Sequence, residues 1–298
     1  MPNPLEPEKK DYPNTYFVQD RSSQDEMTRL RIQDQMLTTA MGGVLPEQAD
    51  PPLFRRVLDV GCGTGGWLIE VAKAYPNISL LIGVDASRKM VDYARSQAEA
   101  LGVSDRVEFH VMDALLILAF PDNYFDLVNQ RCAGSWIRTW EWPKLFSEYQ
   151  RVCRGGGTIR ITEPGILHES NSPALTRFFE MFQCAMFRSG HLFRDETTGI
   201  IAHLPDLLTR YGIQDVQSKA YALEYHAGTA TGEAYYQNTM HFFRNLRPFF
   251  QKWGCDTADY ETIYQQCMKE VQQSDFYSTW DLLTVWGTSW HNENSRRD

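Results

Sequence analysis

The sequence predicts an α/β fold: a doubly wound, mostly parallel seven-stranded sheet with an N-terminal lid helix and a helical cap insertion. Three observations predict it. Short apolar runs alternate with amphipathic helical segments from Arg56 onward, a glycine-rich turn joins the first strand to its helix, and acids end three successive strands. Alternation at this spacing implies parallel strands with helices on both faces.

Prolines 2, 4, 7 and 13 oppose regular structure at the start of the chain, so residues 1–22 read as an extended lead-in. Ser23-Gln24-Asp25-Glu26 fits a capping box, and Met27, Leu30, Leu37 and Met41 continue it at helical spacing until Gly42-Gly43. Asp50-Pro51-Pro52 separates this helix from Val57–Val60, a short strand that runs into Gly61-Cys62-Gly63-Thr64-Gly65-Gly66. The next helix buries Trp67, Leu68, Val71 and Ala72 and stops at Pro76-Asn77. A second strand, Leu80–Val84, ends at Asp85, and Ser87 caps a helix closed by Gly102. The third strand, Val107–Met112, ends at Asp113. Phe125–Asn129 is the fourth, followed by a helix near Pro143–Cys153 and, after Arg154-Gly155-Gly156-Gly157, the fifth strand Thr158–Thr162.

Beyond Pro164 the alternation breaks. Residues 173–190 read as a helix dense in large apolar side chains, Leu204–Tyr211 as a helix and Val216–Tyr225 as a strand. The aromatic run 235–253 holds helical spacing, with Pro248 expected to kink or split it. Asp281–Trp290 reads as the final strand, which makes 226–275 an insertion.

Composition narrows the function. The chain of 298 residues carries 29 basic and 38 acidic side chains, a net charge of −9, so it has no overall field to attract nucleic acid. Its longest purely apolar run is Ala114–Phe120, far below the roughly 20 residues of a membrane span. The opening residues lack the apolar stretch of a secretory signal. Six cysteines without a C-x-x-C spacing indicate neither a zinc site nor a disulfide framework, and the expected setting is a reducing cytoplasm. No clustered carboxylates suggest a metal site.

A glycine-rich turn between strand and helix places backbone N–H groups at the strand's carboxyl end, where doubly wound sheets bind ligands. Gly61, Gly63 and Gly66 satisfy G-x-G-x-x-G, a pattern that by itself also suits a nicotinamide dinucleotide. The surrounding acids discriminate. Asp59, Asp85 and Asp113 suit a ligand with an ammonium group, a ribose diol and an adenine amino group, and they repel a pyrophosphate.

VLDVGCGTG (57–65), LIGVDAS (81–87), VEFHVMDA (107–114) and GGGTIRITEP (155–164) resemble the successive motifs of class I S-adenosylmethionine-dependent methyltransferases, whose sheet is Rossmann-like. The resemblance is close over about 55–165 and loose to the end of the chain. It implies S-adenosyl-L-methionine as cofactor, with Gly61, Cys62, Gly63 and Gly65 against the methionine part and Asp59 supporting the turn and the amino group. It also implies that Asp85 takes both ribose hydroxyls, with Ala86 and Met90 beside the adenine. Asp113 and the Ala114 N–H would then hold the adenine edge, and Asn129, Gln130 and Arg131 would face the methionine end and the substrate. The opening with Tyr16 and the Ser23–Met41 helix resembles the lid segment of small-molecule members. Each acid keeps a simpler reading: Asp59 as a turn acid, Asp85 as a helix cap, Asp113 as a loop residue. Cys62 reads as a small turn filler, and Met90 equally as core.

The resulting division is a lead-in and lid helix (1–50), a cofactor-binding core (51–225) with a cap helix near 173–190, a helical insertion (226–275), and a final strand and tail (276–298). The function expected is in-line methyl transfer to a small, fairly apolar metabolite, a product of secondary metabolism being the natural acceptor. Trp136, Trp140, Trp142, Phe178, Phe182, Phe187 and the 235–253 run are expected to wall its pocket. Glu163, ending the fifth strand, and His168 just beyond it are the candidate general bases. Three alternatives stay open: a cofactor-binding protein that guides a rearrangement or cyclisation without transferring methyl groups, a nicotinamide-dependent oxidoreductase, and a macromolecule methylase, which the acidic charge disfavours.

Overall fold

A computed structural model describes residues 16–18, 23–49, 53–194, 198–255 and 258–290. The prolines of the lead-in and the Asp50-Pro51-Pro52 break lie outside the described residues. In chain order the core runs α1 (Gln24–Met41), β1 (Arg56–Val60), α2 (Gly66–Ala74), β2 (Leu80–Asp85), α3 (Arg88–Ala100), β3 (Val107–Val111), β4 (Phe125–Arg131) and α4 (Trp142–Val152). It continues with β5 (Cys153–Ser170), α5 (Pro173–Arg188), α6 (Leu204–Arg210), β6 (Gln214–His226), α7 (Ala230–Lys252), α8 (Tyr260–Glu270) and β7 (Tyr277–Thr288). The sheet order is β3-β2-β1-β4-β5-β7-β6. The first five strands are parallel, and β7 lies antiparallel to both of its neighbours. The carboxyl ends of β1, β2 and β4 therefore open on the same edge.

Strand alternation sends neighbouring residues to opposite faces. Leu58, Val60, Val84, Val128 and Ile161 pack under α4 and α6, while Val57, Leu81, Phe109 and Leu127 pack under α2 and α3. A third core joins α1, α5, α7 and α8 over the outer ends of β5, β6 and β7, with Phe178 stacked on Phe243 at 4.1 Å between ring centres. Each fully buried side chain of that size is worth about 1.5–3 kcal/mol of transfer free energy, so this core fixes the cap on the sheet.

At the start of α1, Ser23 Oγ accepts from the Glu26 N–H at 3.1 Å. The Glu26 carboxylate does not complete a capping box. It accepts from Tyr16 Oη at 2.5 Å and from Arg29 Nε at 2.9 Å, because a buried guanidinium is the stronger partner.

Four expectations are corrected. β5 extends through Pro164 to Ser170 instead of ending at Thr162. Its pairing with β4 stops at Thr162, so beyond that point it bonds β7 alone, and Pro164 occupies a position where an N–H is not needed. β7 begins at Tyr277 and ends at Thr288. α7 runs through Pro248, which lies close enough to the helix end for buried Leu246, Phe249 and Phe250 to hold the turn. Cys184 and Cys255 form a disulfide across 71 residues. They meet because α5 and the segment after α7 pack together, a proximity that cysteine spacing does not encode. No described helix is long and apolar enough to cross a membrane.

Candidate active site

The glycine turn is tied to the end of β2. The Gly61 and Cys62 N–H groups donate to the Val84 carbonyl at 2.8 and 3.0 Å. Gly61, Gly63 and Gly65 have φ of 71, 52 and 76°, which glycine adopts without strain. A Cβ at Gly65 would lie 2.6 Å from Phe109 Cζ, and one at Gly61 would press on the Trp136 indole at 3.2 Å. Asp85 braces the turn from below: Oδ2 accepts from Gly63 N at 3.0 Å and Oδ1 from Ser87 N at 2.7 Å. Cys62 is a turn filler, its thiol pushed well up by burial with Asp85 and Asp59 adding to the effect.

Register aligns Asp59, Asn129 and Arg160 side by side on β1, β4 and β5. Asn129 Nδ2 donates to Asp59 Oδ1 at 2.7 Å, and Arg160 Nη1 donates to Asn129 Oδ1 at 2.8 Å. Arg160 Nε reaches Glu47 Oε1 at 2.5 Å, both side chains being almost wholly buried. Burial pushes the Asp59 carboxyl up to about 7, against the Asn129 hydrogen bond and the Arg160 charge, while Asp85 adds to the rise. Asn129 thus belongs to the support beneath the turn and does not face the ligand space. Gln130 points to the opposite face, where it donates to Glu163 at 3.0 Å and accepts from Tyr149 Oη at 2.5 Å. The expectation that Asn129 and Gln130 face the methionine end is corrected for one reason. Both side chains are fully buried, on opposite faces of β4, each spent on buried partners.

Above the strand ends lie connected cavities. One, of about 920 Å³, runs along Gly61, Gly63, Asp85, Ala86, Asp113 and Ala114, with Met90 beside them. A smaller lobe of about 500 Å³ extends it over Asp59, Cys62, Trp67 and Arg131. Asp85 and Asp113 therefore share one cleft, and Asp59 floors its inner end. Asp113 Oδ1 also accepts from Leu115 N at 2.9 Å, as an ordinary loop acid does. Arg131 lines both lobes but is paired with Asp34 of α1 and lies 5.8 Å above the Trp67 ring. This carboxylate-rich wall suits a cationic ligand with several donors and opposes a pyrophosphate. Among the described residues no group of three or more His, Cys, Asp or Glu could hold a metal ion.

A second cavity, of about 850 Å³, opens off the first and shares Tyr16, Leu30, Cys132 and Ser135 with it. Glu163 and His168 both line it. Glu163 is also the clamp of the turn after β4, its Oε1 accepting from Ala133 N at 2.7 Å and its Oε2 from Gly134 N at 3.0 Å. Burial outweighs these bonds and pushes its carboxyl up to about 7. His168 Nδ1 lies 2.6 Å from Tyr235 Oη, and its ring is stacked on Phe179 at 4.0 Å. Burial holds the imidazole well below its usual range, so it is neutral.

Of the aromatics expected as wall, Trp136 lines the first cavity and Phe182 the second. Trp142 and Phe178 are fully buried core, and Trp140 and Phe187 are exposed outside the cavities. Sequence reading missed Leu30, Gln33 and Cys132 at the junction, and Asn238 and Thr239 in the second cavity. Leu30 and Gln33 share one face of α1 by helical spacing. Nothing local marks the others.

Residues 57–157 match the methyltransferase domain family. Geranyl diphosphate 2-C-methyltransferase of Saccharopolyspora erythraea is 34% identical over 46% of this chain and 44% of its own. The 27-O-demethylrifamycin SV methyltransferase of Amycolatopsis mediterranei is 38% identical over 35% of this chain and 36% of its own. The chain thus spans less than half the length of these curated relatives. Among solved structures, a phosphoethanolamine N-methyltransferase 2 from Haemonchus contortus, in complex with phosphomonomethylethanolamine and S-adenosylhomocysteine, superposes with a TM-score of 0.52. That match has 18% identity and covers 92% of this chain and 60% of that one, so it shows the fold.

Proposed function

Because residues 57–157 match the methyltransferase domain family, we propose that the chain is a class I S-adenosylmethionine-dependent methyltransferase and transfers the sulfonium methyl group to a small, largely apolar acceptor. The observation that carries this reading is the junction of two unlike cavities. One is walled by carboxylates and the glycine turn, the other by aromatic and aliphatic side chains, and they meet at Tyr16, Leu30, Cys132 and Ser135. The residues fit the cofactor. Asp85, which braces Gly63 and Ser87, also lines the cleft where a ribose diol would lie. Asp113, Ala114, Ala86 and Met90 line one stretch of the same cleft, which supports an adenine held at that end. Asp59 and the Gly61–Gly65 turn receive the methionine part, and Arg131 closes that end.

Held by the glycine turn, Asp85 and Asp113, adenosylmethionine would supply an electrophilic sulfonium methyl group to an acceptor lone pair, with the sulfur as a neutral thioether leaving group. The chain's contribution is alignment and exclusion of water. Tyr16, Phe17 and α1 cover the junction, held by the Phe17 N–H to the Ser135 carbonyl at 3.2 Å and by the buried Tyr16–Glu26–Arg29 set. Fixing nucleophile and methyl in line can contribute effective molarities of about 10⁵–10⁸ M. Where the acceptor must lose a proton, Glu163 is placed to take it, since a carboxyl near 7 changes protonation at working pH.

Calorimetric titration separates the readings: S-adenosylhomocysteine binds and NADH does not. Supplied with methyl-labelled adenosylmethionine and a panel of apolar alcohols, phenols and amines, the protein moves label to an acceptor. Tight NADH binding with no affinity for S-adenosylhomocysteine refutes the assignment. Cofactor binding without label loss to any acceptor refutes the transfer step.

A further inference from the structure

The lobe of about 500 Å³ at the inner end of the cleft holds a pair of opposite charges whose acid has no role so far. Asp34 and Arg131 both line it, one from α1 and the other from the end of β4, with Gly61, Cys62 and Gly63 beside them. The pair seats α1 on the glycine turn. Asp34 Oδ1 meets the Arg131 guanidinium, and Arg131 Nη1 donates to Thr38 Oγ1 at 3.3 Å, one turn further along α1. The second oxygen, Oδ2, lies against Gly66, the first residue of α2, where a Cβ would run into it. The last glycine of the G-x-G-x-x-G pattern thus admits a carboxylate from α1, and the N-terminus of α2 favours a negative charge there.

Both partners keep capacity for a ligand. Asp34 Oδ2 has no hydrogen-bond partner among the described residues, yet it is not sealed in, and the Asp34 side chain is 19% exposed. Arg131 spends its terminal nitrogens on Thr38 and Asp34, and its Nε–H makes no hydrogen bond among the described residues. Asp59 differs: it is 5% exposed, and its Oδ1 is given to Asn129. A simple cation in this lobe would face Arg131, and a simple anion would face Asp34. A zwitterion satisfies both, with its ammonium toward the carboxylate and its carboxylate toward the guanidinium. The amino-acid end of the cofactor is such a group, and the lobe continues directly from the cleft, sharing Gly61, Gly63 and Arg131 with it.

Resting on the methyl-transfer reading, we propose that Asp34 is a cofactor-binding residue whose Oδ2 accepts from the α-ammonium of the methionine part while Arg131 donates to the α-carboxylate. Helix α1 carries Leu30 and Gln33 to the wall shared with the second cavity, so the helix that covers the junction is also part of the cofactor site. Asp59 keeps its place in the support beneath the turn.

Two ligands that differ by the ammonium alone test this: S-adenosylhomocysteine and 5′-S-(3-carboxypropyl)-5′-thioadenosine, which keeps the carboxylate. At pH 7 the parent protein should bind the first at least about tenfold more tightly, the range of a hydrogen bond to a charged group. Asp34→Asn keeps the shape of the side chain and removes its charge, so that preference should shrink to about twofold or less. Asp34→Ala serves as the second variant should the asparagine protein fail to fold. A parent without the preference, or a preference of equal size in parent and folded variant, overturns the proposal. A variant that weakens both ligands alike is the latter case and makes Asp34 only a prop of α1. S-adenosylhomocysteine is titrated into the parent first. Failure at that step counts against methyl transfer itself, whereas normal binding with an unmoved preference counts only against Asp34.

Discussion

Replacing Glu47 by methionine should destabilise the fold far more than its place between α1 and β1 suggests. The substitution removes the carboxylate that Arg160 contacts at 2.5 and 3.3 Å. Arg160 is fully buried, with Trp67 5.9 Å from its guanidinium, so it cannot turn to water. Its remaining neighbours are the Asn129 amide oxygen at 2.8 Å and, beyond that, Asp59. Breaking a buried pair from one side costs about 3–5 kcal/mol. With an unfolding entropy near 2.1 cal/mol/K per residue, a chain of this length loses roughly 1.6 °C per kcal/mol, so the melting temperature should drop by about 5–8 °C. The double variant Glu47→Met with Arg160→Met removes both charges and should recover at least about 2 kcal/mol relative to the sum of the single losses. Guanidinium unfolding and calorimetry of the four proteins measure this coupling. A Glu47→Met loss below about 1 kcal/mol, or additive single losses, would refute the buried chain Glu47–Arg160–Asn129–Asp59 as the support of the turn.

Asp85→Ala should weaken S-adenosylhomocysteine by about 2–3 kcal/mol for the ribose bonds alone, and by more because Gly63 and Ser87 lose their acceptor; unchanged affinity by calorimetry removes Asp85 from the site. Stability should also depend on pH. Asp59 and Glu163 hold their protons to about 7 when folded but release them near 4 when unfolded, so the stability they contribute is fully present below about 4 and lost as pH rises to about 7. Glu163→Gln should flatten that decline in denaturant titrations between about pH 4 and 7, and a parallel curve for variant and parent rejects the raised carboxyl.

The half of the chain from β1 to β5 was legible because local signals agree there: glycine turn, strand-end acids and helix caps all indicate one topology. The site was legible only to first order. Asp85, Asp113 and the turn stand at strand ends, where position dictates direction. Asn129 and Gln130 also occupy a strand end, but their side chains are claimed by Arg160 and Glu163, partners 31 and 33 residues away. Arg160 is visible as a charge inside an apolar strand, yet its carboxylate lies 113 residues earlier in a stretch without pattern. The second cavity was least legible. Asn238 looks like any polar residue of a helix until α7 is laid against β5 and β7, and only the packing of α5 on the segment after α7 brings Cys184 to Cys255.

The strand that fills the penultimate place in the sheet is the last described element to leave the ribosome. Until residues 277–288 emerge, β5 and β6 have no edge to share, and Trp280 cannot cap the imidazole of His168. Nascent chains can build the glycine-turn side early, from neighbours close in sequence, while the second cavity waits for residues 277–288. A chain stopped before β7 should thus present an open groove and two raw β-edges to chaperones, and the second cavity should close all at once when residues 277–288 pair.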